Sequence, residues 1–519
     1  MKTVAPSWVF FLVTGVFISL IVPLGEGFDE PYHFSYVQYV AQTGKLPSGP
    51  SMRISSEIES FMLLHPAGWR LKDIFSELQS QEDYWHNPDR TAADATLRSM
   101  RFSGEYREGR RDFAKQYESH QAPLYYLLTA PLFYAGSRLL SFSDTFLLIR
   151  LWSVLLASAV VPLSYLLAAR LSASEKTAAL VPVLVALFPG IYPDVVRVSN
   201  DALAVPVAAM IFAALARYVD LKAPRDGLLL SIALTAGLLT KAFFVPVFVV
   251  IVFVMLWMRR YRMVLTMAAL SCIGWLWFAR NLLVTGSLTG LPETVAANTT
   301  VASSVNALSG IDWFGVLRLA AVSHIWMGYW SLLQFRSWMY DTVLILFAIG
   351  LCGFIPFMLR AASRAIVVML LIYVGFASAL IYYATQVFLQ TGIPVIQGWY
   401  LSPMIPLEAL AFVLGLQTIT SGRIFIRASV FTGFCFLALT IYGHAFIAAP
   451  YYANLIEHAA SGHLRAYHPR WGDVLLAGAR LTRFHPWIPA ALPALLGVAS
   501  LLLGLWLLWS YLRTADYST

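Results

Sequence analysis

Charged residues are what this sequence has least of. Only 12% of its 519 residues are Asp, Glu, Lys or Arg, whereas 59% are hydrophobic. Soluble domains carry about a quarter of their residues as charged side chains, so a soluble globular protein is excluded. The net charge of +8 does not indicate a nucleic-acid partner, because the chain has no basic stripe with interleaved aromatic residues.

Cysteine is also scarce. The chain has only Cys272, Cys352 and Cys435, and each falls within an apolar segment. This distribution excludes a disulfide framework and a thiolate metal site. The sequence also lacks a repeat of fixed period and a low-complexity tract. Its organisation therefore has to be read from the hydrophobic segments.

Apolar stretches of about 15–25 residues recur along the chain, which is typical of membrane spans. The first, from Trp8 to Leu24, has no clear small-residue cleavage site, so we interpret it as an uncleaved span rather than a removed signal peptide. The pattern predicts an all-α polytopic membrane protein with about twelve transmembrane helices, at residues 7–24, 146–168, 178–192, 202–217, 227–241, 243–258, 263–280, 339–359, 365–386, 399–419, 425–447 and 488–512.

Lysine and arginine residues between the spans predict the orientation. With the N-terminus inside, the short outer connections hold only Arg197 and Lys241. The inner loops then hold Arg170, Lys176, Arg217, Lys222, Arg225, Arg259, Arg260, Arg262, Arg360, Arg364, Arg423 and Arg427. This bias predicts a multi-pass membrane protein with both termini cytoplasmic.

One apolar stretch, Pro123 to Leu140, is ambiguous because it is short, contains Pro131 and is rich in Tyr. If it crossed the membrane, every later basic loop would face the wrong side, so we predict an amphipathic helix lying flat in the outer interface. Residues 25–145 then form one long extracytoplasmic loop with interfacial helices. Within it, the charged run 83–115 is expected to be a surface loop that orders only with substrate.

We expect residues 1–448 to form the transmembrane catalytic region, and residues 449–519 an extracytoplasmic segment with the last transmembrane helix.

The segment from Phe28 to Phe34 follows the first span and contains the adjacent pair Asp29-Glu30. Two carboxylates at the edge of a membrane are costly and indicate a functional site. Asp29 has the position of a helix N-cap, and Gly44 that of the following stop. The helix dipole would keep Asp29 ionised, as a general base must be. Each of these residues has an alternative interpretation. Asp29 could only cap the helix, and Glu30 could be a supporting hydrogen-bond acceptor. His33 could orient Asp29 or be a packed histidine of the interface.

Polar residues from separate parts of the chain fall at the same predicted outer boundary. They are Asp29, Glu30, His33, His120, Arg150, Asn200, Asp201, Lys241, Arg280, Asn281, Gln397 and Tyr400. A carboxylate near cations is suited to a transfer reaction in which a lipid phosphate is the leaving group. Arg or Lys stabilises the leaving phosphate, so no general acid is needed, and a single base takes the proton of the attacking hydroxyl. Arg150, inside an apolar span, needs either a partner carboxylate or a phosphate. Lys241 could instead extend to the interface, and Asp201 could cap the fourth span.

Several short motifs follow one another in a characteristic order. They are Asp29-Glu30, His120-x-x-Pro-Leu-Tyr-Tyr126, Arg150, Ser199-Asn200-Asp201-Ala-Leu203, Leu239-Thr240-Lys241 and Trp277-Phe278-Ala279-Arg280-Asn281. In this order the sequence resembles the GT-C superfamily of integral-membrane glycosyltransferases, which contains protein O-mannosyltransferases and lipid A aminoarabinose transferases. Gln397-Gly398-Trp399-Tyr400 is similar to the Gln-Gly-Arg-Tyr motif of a bacterial branch of GT-C-like proteins. The resemblance covers about residues 7–410.

This resemblance implies a GT-C-like fold whose first outer loop carries the catalytic Asp, here Asp29, with Glu30 beside it. The implied donor is a polyprenyl-phosphate sugar, with Arg150, Lys241 and Arg280 as phosphate contacts. The implied substrate contacts are His33, His120, Asn200, Asp201, Asn281, Gln397, Trp399 and Tyr400. The chain departs from the family pattern at His120-Gln121-Ala122-Pro123, where His-Pro-Pro is usual, and at Trp399, where Arg is usual. Trp399 could stack on a sugar face instead.

Together with this resemblance, the sequence favours an inverting glycosyltransferase of the bacterial inner membrane. It would take a sugar from undecaprenyl phosphate and pass it to an extracytoplasmic glycan, lipid or protein hydroxyl. No cofactor is expected: this chemistry does not require a divalent metal, although some relatives use one. Two alternatives stay open, a transporter or flippase of lipid-linked sugars and a catalytically inactive GT-C-like scaffold. Transporters usually place ionisable residues near the bilayer midplane, whereas here the charges gather at one boundary.

Overall fold

The computed structural model describes residues 4–49, 51–106, 111–172, 174–291, 300–459 and 463–516. These residues are predominantly helical, and the β-pairing among them is confined to isolated bridges such as the one between Arg53 and Lys115. The predicted all-α polytopic architecture is confirmed.

The first span is helix α1 (Val4–Ile21). The loop that follows carries α2 (Glu30–Thr43), α3 (Ser56–Leu64), α4 (Trp69–Ile74), α5 (Gln81–His86), α6 (Arg90–Ser99), the 3₁₀ turns Asp112–Ala114 and Tyr117–His120, and α7 (Leu124–Leu139).

The rest of the chain contains most of the long helices and a few short ones. They are α8 (Phe142–Ser158), α9 (Val160–Leu171), α10 (Glu175–Leu187), α11 (Tyr192–Val195), α12 (Asp201–Leu221), α13 (Pro224–Leu238), α14 (Phe244–Trp257), α15 (Tyr261–Thr285), α16 (Val301–Gly310), α17 (Trp313–Ile325), α18 (Ser337–Arg360), α19 (Arg364–Thr391), α20 (Ile405–Ile419), α21 (Gly422–Ile441), α22 (Ala449–Tyr452), α23 (Trp471–Leu481) and α24 (Leu492–Asp516). The 3₁₀ turns Pro189–Ile191 and Gly398–Met404 precede α11 and α20, and the π-helix Tyr442–Ala448 joins α21 to α22.

Nine helical segments of the described chain are long and apolar enough to cross a membrane. They are Val4–Ile21, Phe142–Leu171, Asp201–Leu221, Tyr261–Thr285, Ser337–Arg360, Arg364–Thr391, Gly398–Ile419, Gly422–Tyr452 and Leu492–Arg513. Two bent pairs raise the number to eleven: Glu175–Leu187 with Pro189–Val195, bent by 53°, and Ala302–Gly310 with Trp313–Ile325, bent by 76°.

The predicted number of about twelve spans is close to these nine to eleven candidates of the described chain. Predicted spans 227–241 and 243–258 form α13 and α14, which have only 15 and 14 residues, whereas a full crossing needs about 20. The polar pair Thr240-Lys241 separates them. The second bent pair lies within residues 281–338, between the predicted spans 263–280 and 339–359; residues 292–299 of that segment lie outside the described residues.

The first loop is more ordered than predicted. Residues 83–115 are not a plain surface loop, because α5 and α6 form there; residues 107–110 lie outside the described residues. Ser80 starts α5 through a capping box, in which its hydroxyl accepts from the Asp83 N–H and the Asp83 carboxylate accepts from the Ser80 N–H. The stretch 123–140 forms α7, which packs against α2 and α8; its position in the interface stays a prediction.

Helix α12 has a central position, because it packs against α8, α9 and α13. Its first residue, Asp201, is buried, as is the segment that leads into it. Two hydrogen bonds join that segment to the start of the first loop, from Val198 N–H to Glu30 and from Arg197 to the Phe28 carbonyl. The fold therefore brings the Asp29-Glu30 region against the N-terminal end of α12.

Candidate active site

Asp29 immediately precedes α2 in an uncommon backbone conformation. Its φ of 57° and ψ of 12° lie in the left-handed region, which only glycine enters freely and which Asp tolerates better than most residues. Helix α2 begins at Glu30 and ends before Gly44, which has φ 67°, so the predicted bounds are confirmed. The Asp29 carboxylate accepts no capping hydrogen bond from the first turn of α2, all of which belongs to the described chain. The structure therefore does not support a side-chain cap of α2 by Asp29.

Glu30 and Arg150 form a buried ion pair. Arg150 Nε donates to Glu30 Oε1 at 2.9 Å, and Nη2 donates to Oε2 at 2.6 Å. The remaining N–H groups of Arg150 donate to the carbonyl oxygens of Ser19, Val22 and Pro23 at 3.2, 2.6 and 2.9 Å. A guanidinium has five N–H groups, and all five are used. Arg150 therefore has the partner carboxylate that its position required and no donor left for a phosphate in this arrangement.

The carboxylate of Glu30 is fully occupied as well. Its Oε2 accepts from the N–H groups of Gly25 and Gly27 at 3.0 and 3.2 Å, and its Oε1 accepts from Val198 N–H at 2.9 Å. The side chain is 0% exposed. These contacts fit a structural anchor between the first loop and the segment before α12 rather than a catalytic group.

Asp201 lies between two cations at the start of α12. Lys241 Nζ is 2.5 Å from its Oδ1, and Arg197 Nη2 is 2.8 Å from its Oδ2. Ser199 Oγ donates to the same Oδ2 at 2.9 Å. Lys241 is only 9% exposed, so it is a buried, ion-paired residue and does not extend freely to the interface.

Arg197 is the residue that sequence reasoning missed. Its Nη1 donates to the Phe28 carbonyl at 2.5 Å, and its guanidinium carbon is 5.5 Å from the centre of the Phe28 ring. Because Phe28 directly precedes Asp29, Arg197 holds the peptide that carries Asp29. The available signal was its position four residues before Asp201, one helical turn away.

A second carboxylate extends this cluster toward the Gln397-to-Tyr400 motif. Asp194 Oδ1 is 3.3 Å from Arg197 Nη2. Its other oxygen accepts a hydrogen bond from the Ser402 hydroxyl, in the 3₁₀ turn Gly398–Met404. The cations near Asp29 are thus connected to the motif region by a continuous series of buried polar contacts.

Trp399 stacks on Phe28, with ring centroids 4.0 Å apart and an interplanar angle of 18°. Trp330 meets the same ring edge-on at 5.4 Å. Gly398 makes this placement possible, because a Cβ there would lie 2.0 Å from His324 N and 2.2 Å from Ala320 O. The two tryptophans are half-buried and pack on Phe28, the residue that precedes Asp29.

The other residues of the motif lie close to this surface. The Tyr400 ring is 5.3 Å from that of Phe243. Lys241 Nζ lies 4.6 Å above the same Phe243 ring, so Tyr400 is connected to the cationic cluster. Gln397 is half-buried at the start of the 3₁₀ turn.

His33 belongs to a buried group on the first loop. Its Nδ1 is 2.7 Å from the Tyr126 hydroxyl, and its Nε2 is 3.8 Å from Glu118 Oε1. Burial, reinforced by Arg197 and Lys241, lowers the pKa of His33 well below its ordinary value. Burial raises the pKa of Glu118 to about 7, against the opposing effect of Lys241. His33 is therefore neutral at physiological pH, whereas Glu118 titrates there.

Asn200 and Asn281 connect the His120 segment to the helices. Asn200 Nδ2 donates to Gln121 Oε1 and to the Thr240 carbonyl, both at 2.9 Å. Asn281 Nδ2 donates to the His120 carbonyl at 2.9 Å, and that carbonyl also accepts from Trp277 Nε1 at 3.0 Å.

Arg280 lies next to this segment and is half-buried. Its Nη1 donates to Asn281 Oδ1 at 2.8 Å, and its Nη2 donates to the Pro47 carbonyl at 2.5 Å. The sequence-predicted residues thus fall into a cluster around Asp29, Asp201 and Lys241 and an adjoining cluster around His120 and Arg280.

This geometry combines the Asp29 carboxylate with the aromatic side chains around Phe28. The cations of the same cluster are Arg197 and Lys241. A carboxylate can accept a proton from a hydroxyl, and cations can stabilise an anionic leaving group. Among the residues that the structure describes, no group of three His, Cys, Asp or Glu side chains is arranged as a metal site. The independence from a metal stays a prediction.

Comparisons with known proteins give a family and likenesses to solved structures. The family described as "Predicted membrane protein (DUF2142)" matches residues 11–408. No curated protein matches the chain. Among solved structures, the chain is similar to ArnT from Cupriavidus metallidurans bound to undecaprenyl phosphate, with 13% identity and a TM-score of 0.47 over 98% of this chain and 77% of that chain. A likeness of this degree does not indicate which reaction, if any, this chain catalyses.

Proposed function

The chain belongs to the DUF2142 family of predicted membrane proteins, and we propose that it is an inverting glycosyltransferase that takes a sugar from a polyprenyl-phosphate donor. The acceptor would be an extracytoplasmic hydroxyl of a glycan, lipid or protein. We further propose that the site faces the extracytoplasmic side of a bacterial inner membrane, with both termini in the cytoplasm.

One observation carries the proposal: Asp29 has a left-handed φ of 57°, does not cap α2 within the described chain, and follows a peptide held by the buried Arg197. Backbone strain of this kind costs about 1–3 kcal/mol and persists where the surrounding structure requires it. Asp29 is also partly exposed, whereas Glu30 beside it is fully buried. Of the two adjacent carboxylates, Asp29 is therefore the one that a substrate can reach.

The reaction then needs a single displacement. Asp29 takes the proton of the acceptor hydroxyl while the hydroxyl oxygen attacks the anomeric carbon of the donor. The bond between that carbon and the phosphate oxygen breaks, and polyprenyl phosphate leaves with the electron pair. Lys241 and Arg280 stabilise the negative charge of the leaving phosphate. One displacement inverts the configuration at the anomeric carbon.

The contacts support different roles for the remaining residues. Trp399 offers a face for stacking on a sugar ring, because it is half-buried beside Phe28. Asp201 orients Lys241, which gives it one of its N–H groups. We propose that His33, His120, Asn200, Asn281, Gln397 and Tyr400 shape the substrate cavity. Glu30 and Arg150 are assigned a structural role. The proposed chemistry requires no divalent metal.

The experiment compares Asp29→Asn with wild type in transfer from a panel of synthetic polyprenyl-phosphate hexoses, radiolabelled in the sugar, to a membrane extract. Asn tolerates the left-handed conformation as well as Asp does, so the fold is expected to be kept. General-base catalysis contributes about 10²–10⁴-fold, and we expect a loss of that size. Asp112→Asn, an exposed aspartate of the same loop, is the matched control and should keep full activity.

Full transfer by a normally folded Asp29→Asn variant would refute the mechanism. Movement of a labelled donor across a proteoliposome membrane without product would identify a flippase instead. Wild-type protein that shows neither transfer nor movement of any donor would identify a scaffold.

A further inference from the structure

A groove lies at the end of α12 opposite to Asp201, between α9, α12 and α13. Arg217 of α12 lines it and is sixteen residues beyond Asp201. At 1.5 Å per residue the two positions are about 24 Å apart. The groove is therefore separate from the candidate active site, and nothing in the proposed reaction uses it.

The walls of the groove are apolar and open to the surroundings of the helices. Leu163 and Leu166 of α9, Met210 of α12 and Leu229 of α13 line it. Leu166 is 55% exposed and Leu229 is 41% exposed, so in a membrane this opening meets the acyl chains. The cavity volume is about 580 Å³, which is within the range of about 300–1,000 Å³ that is typical of ligand sites.

Arginines also line this groove, at Arg170, Arg217 and Arg225. Arg217 Nε is 2.9 Å from Oδ1 of Asp226, which is the only carboxylate among the described residues of the lining. Arg170 Nη2 is 3.1 Å from Asp220. Each of these pairs uses one nitrogen of a guanidinium. The lining thus carries an excess of positive charge, and guanidinium groups bind phosphate oxygens in a bidentate manner.

An apolar cavity that opens to lipid and ends in arginines has the two properties of a phospholipid site. We propose that this groove binds one anionic phospholipid of the bilayer, with its phosphate against Arg170 and Arg225 and an acyl chain along Leu163, Leu166 and Leu229. A lipid with a cationic headgroup fits less well, because its ammonium would approach the arginines. The site does not depend on the proposed transferase activity.

The test measures binding of phosphatidylglycerol and of phosphatidylcholine with the same acyl chains to the purified full-length protein, by native mass spectrometry. We expect wild type to bind phosphatidylglycerol at least tenfold more tightly. The double variant Arg170→Gln/Arg225→Gln keeps the ion pair between Arg217 and Asp226 and should lose at least tenfold in affinity for phosphatidylglycerol. The matched control is Arg360→Gln/Arg364→Gln, which removes two exposed arginines outside the groove and should change the affinity less than twofold.

A second pair of variants tests the groove without changing charge. Leu166→Trp fills the cavity and should weaken phosphatidylglycerol binding at least tenfold. Leu351→Trp changes a leucine of similar exposure, 58%, outside the groove and should have no effect. Equal binding of the two lipids by wild type, or equal losses in the groove and control variants, would overturn the proposal.

Discussion

Arg150 and Glu30, 120 residues apart in sequence, bind each other through two hydrogen bonds of 2.9 and 2.6 Å in a site from which solvent is excluded. The same guanidinium holds the carbonyl groups of Ser19, Val22 and Pro23. The pair therefore fixes the end of the first span against α8 and sets the point from which the chain runs to Asp29.

We predict that breaking this pair destabilises the protein without touching the chemistry directly. Glu30→Gln leaves a buried guanidinium without its counter-charge, which costs about 3–5 kcal/mol in comparable buried pairs. Arg150→Gln should cost a similar amount. Thermal unfolding of detergent-solubilised protein measures both.

Replacement of both partners, in Glu30→Leu/Arg150→Leu, should cost less than the sum of the single changes, because no isolated charge is left buried. Single variants with an unchanged melting temperature would contradict the structural role assigned here.

Stability should depend on pH through Glu26, a buried carboxylate that accepts hydrogen bonds from Ser331 N–H, Ser331 Oγ and Tyr452 Oη at 2.8, 2.6 and 3.1 Å. Burial raises the pKa of Glu26 from 4.5 to about 7. The folded protein thus holds this proton more tightly than the unfolded chain. The stabilisation is complete below pH 4.5 and is lost as the pH rises through 7, in total about 3 kcal/mol at 1.36 kcal/mol per pKa unit.

Glu26→Gln imitates the protonated form, so the fall in melting temperature between pH 5 and pH 8 should become smaller than in wild type. Burial also raises the pKa of Glu118 to about 7, so this carboxylate adds to the loss of stability over the same pH range. Glu118→Gln should therefore also make the fall in melting temperature smaller. Glu77→Gln changes an exposed carboxylate and serves as the control. A Glu26→Gln profile identical to that of wild type would rule out this titration.

Gly398→Ala should be strongly destabilising. Its Cβ would lie 2.0 Å from His324 N and 2.2 Å from Ala320 O, both backbone atoms that cannot move independently. Overpacking of this kind costs about 1–3 kcal/mol or more, and it would displace Trp399 from Phe28. We expect a lower melting temperature and, in the transfer assay, reduced activity.

Gly472→Ala is the comparison for this change. No atom beyond the neighbouring residues lies within 4 Å of the new Cβ in the described chain, so this helical position should tolerate Ala or gain slightly from it. Equal melting temperatures of the two variants would contradict the close approach at Gly398.

Lys241→Met should weaken binding of the donor phosphate while Asp201 keeps its contact with Arg197 at 2.8 Å. A charge-assisted contact to phosphate contributes about 1.5–3 kcal/mol, which corresponds to a loss of about tenfold or more in affinity. Binding of undecaprenyl phosphate to purified protein measures this. The control Lys176→Met changes an exposed lysine and should bind undecaprenyl phosphate with wild-type affinity. A normally folded Lys241→Met variant with wild-type affinity would show that Lys241 is not part of the proposed phosphate site.

Local features of this protein follow from the sequence alone. Apolar runs predicted an all-helical membrane protein, and the bounds of α2 followed from Asp29 and Gly44, because helix ends depend on neighbouring backbone groups. The sequence also placed a boundary between two segments next to Lys241, and the structure has the helices α13 and α14 on either side of Thr240-Lys241. Hydrophobicity alone does not report whether helices of 15 and 14 residues cross the membrane.

The partners of the buried charges were decided only by the tertiary structure. The sequence pointed to the region of Asp201 and Lys241, 40 residues apart, and the fold pairs them. It did not indicate that Arg150 is fully used by Glu30 and three carbonyl groups, or that Arg197 holds Phe28 from 169 residues away. A buried charge binds whichever opposite charge or carbonyl group the packed helices bring within about 3 Å. That choice depends on the packing of distant segments and not on the local sequence.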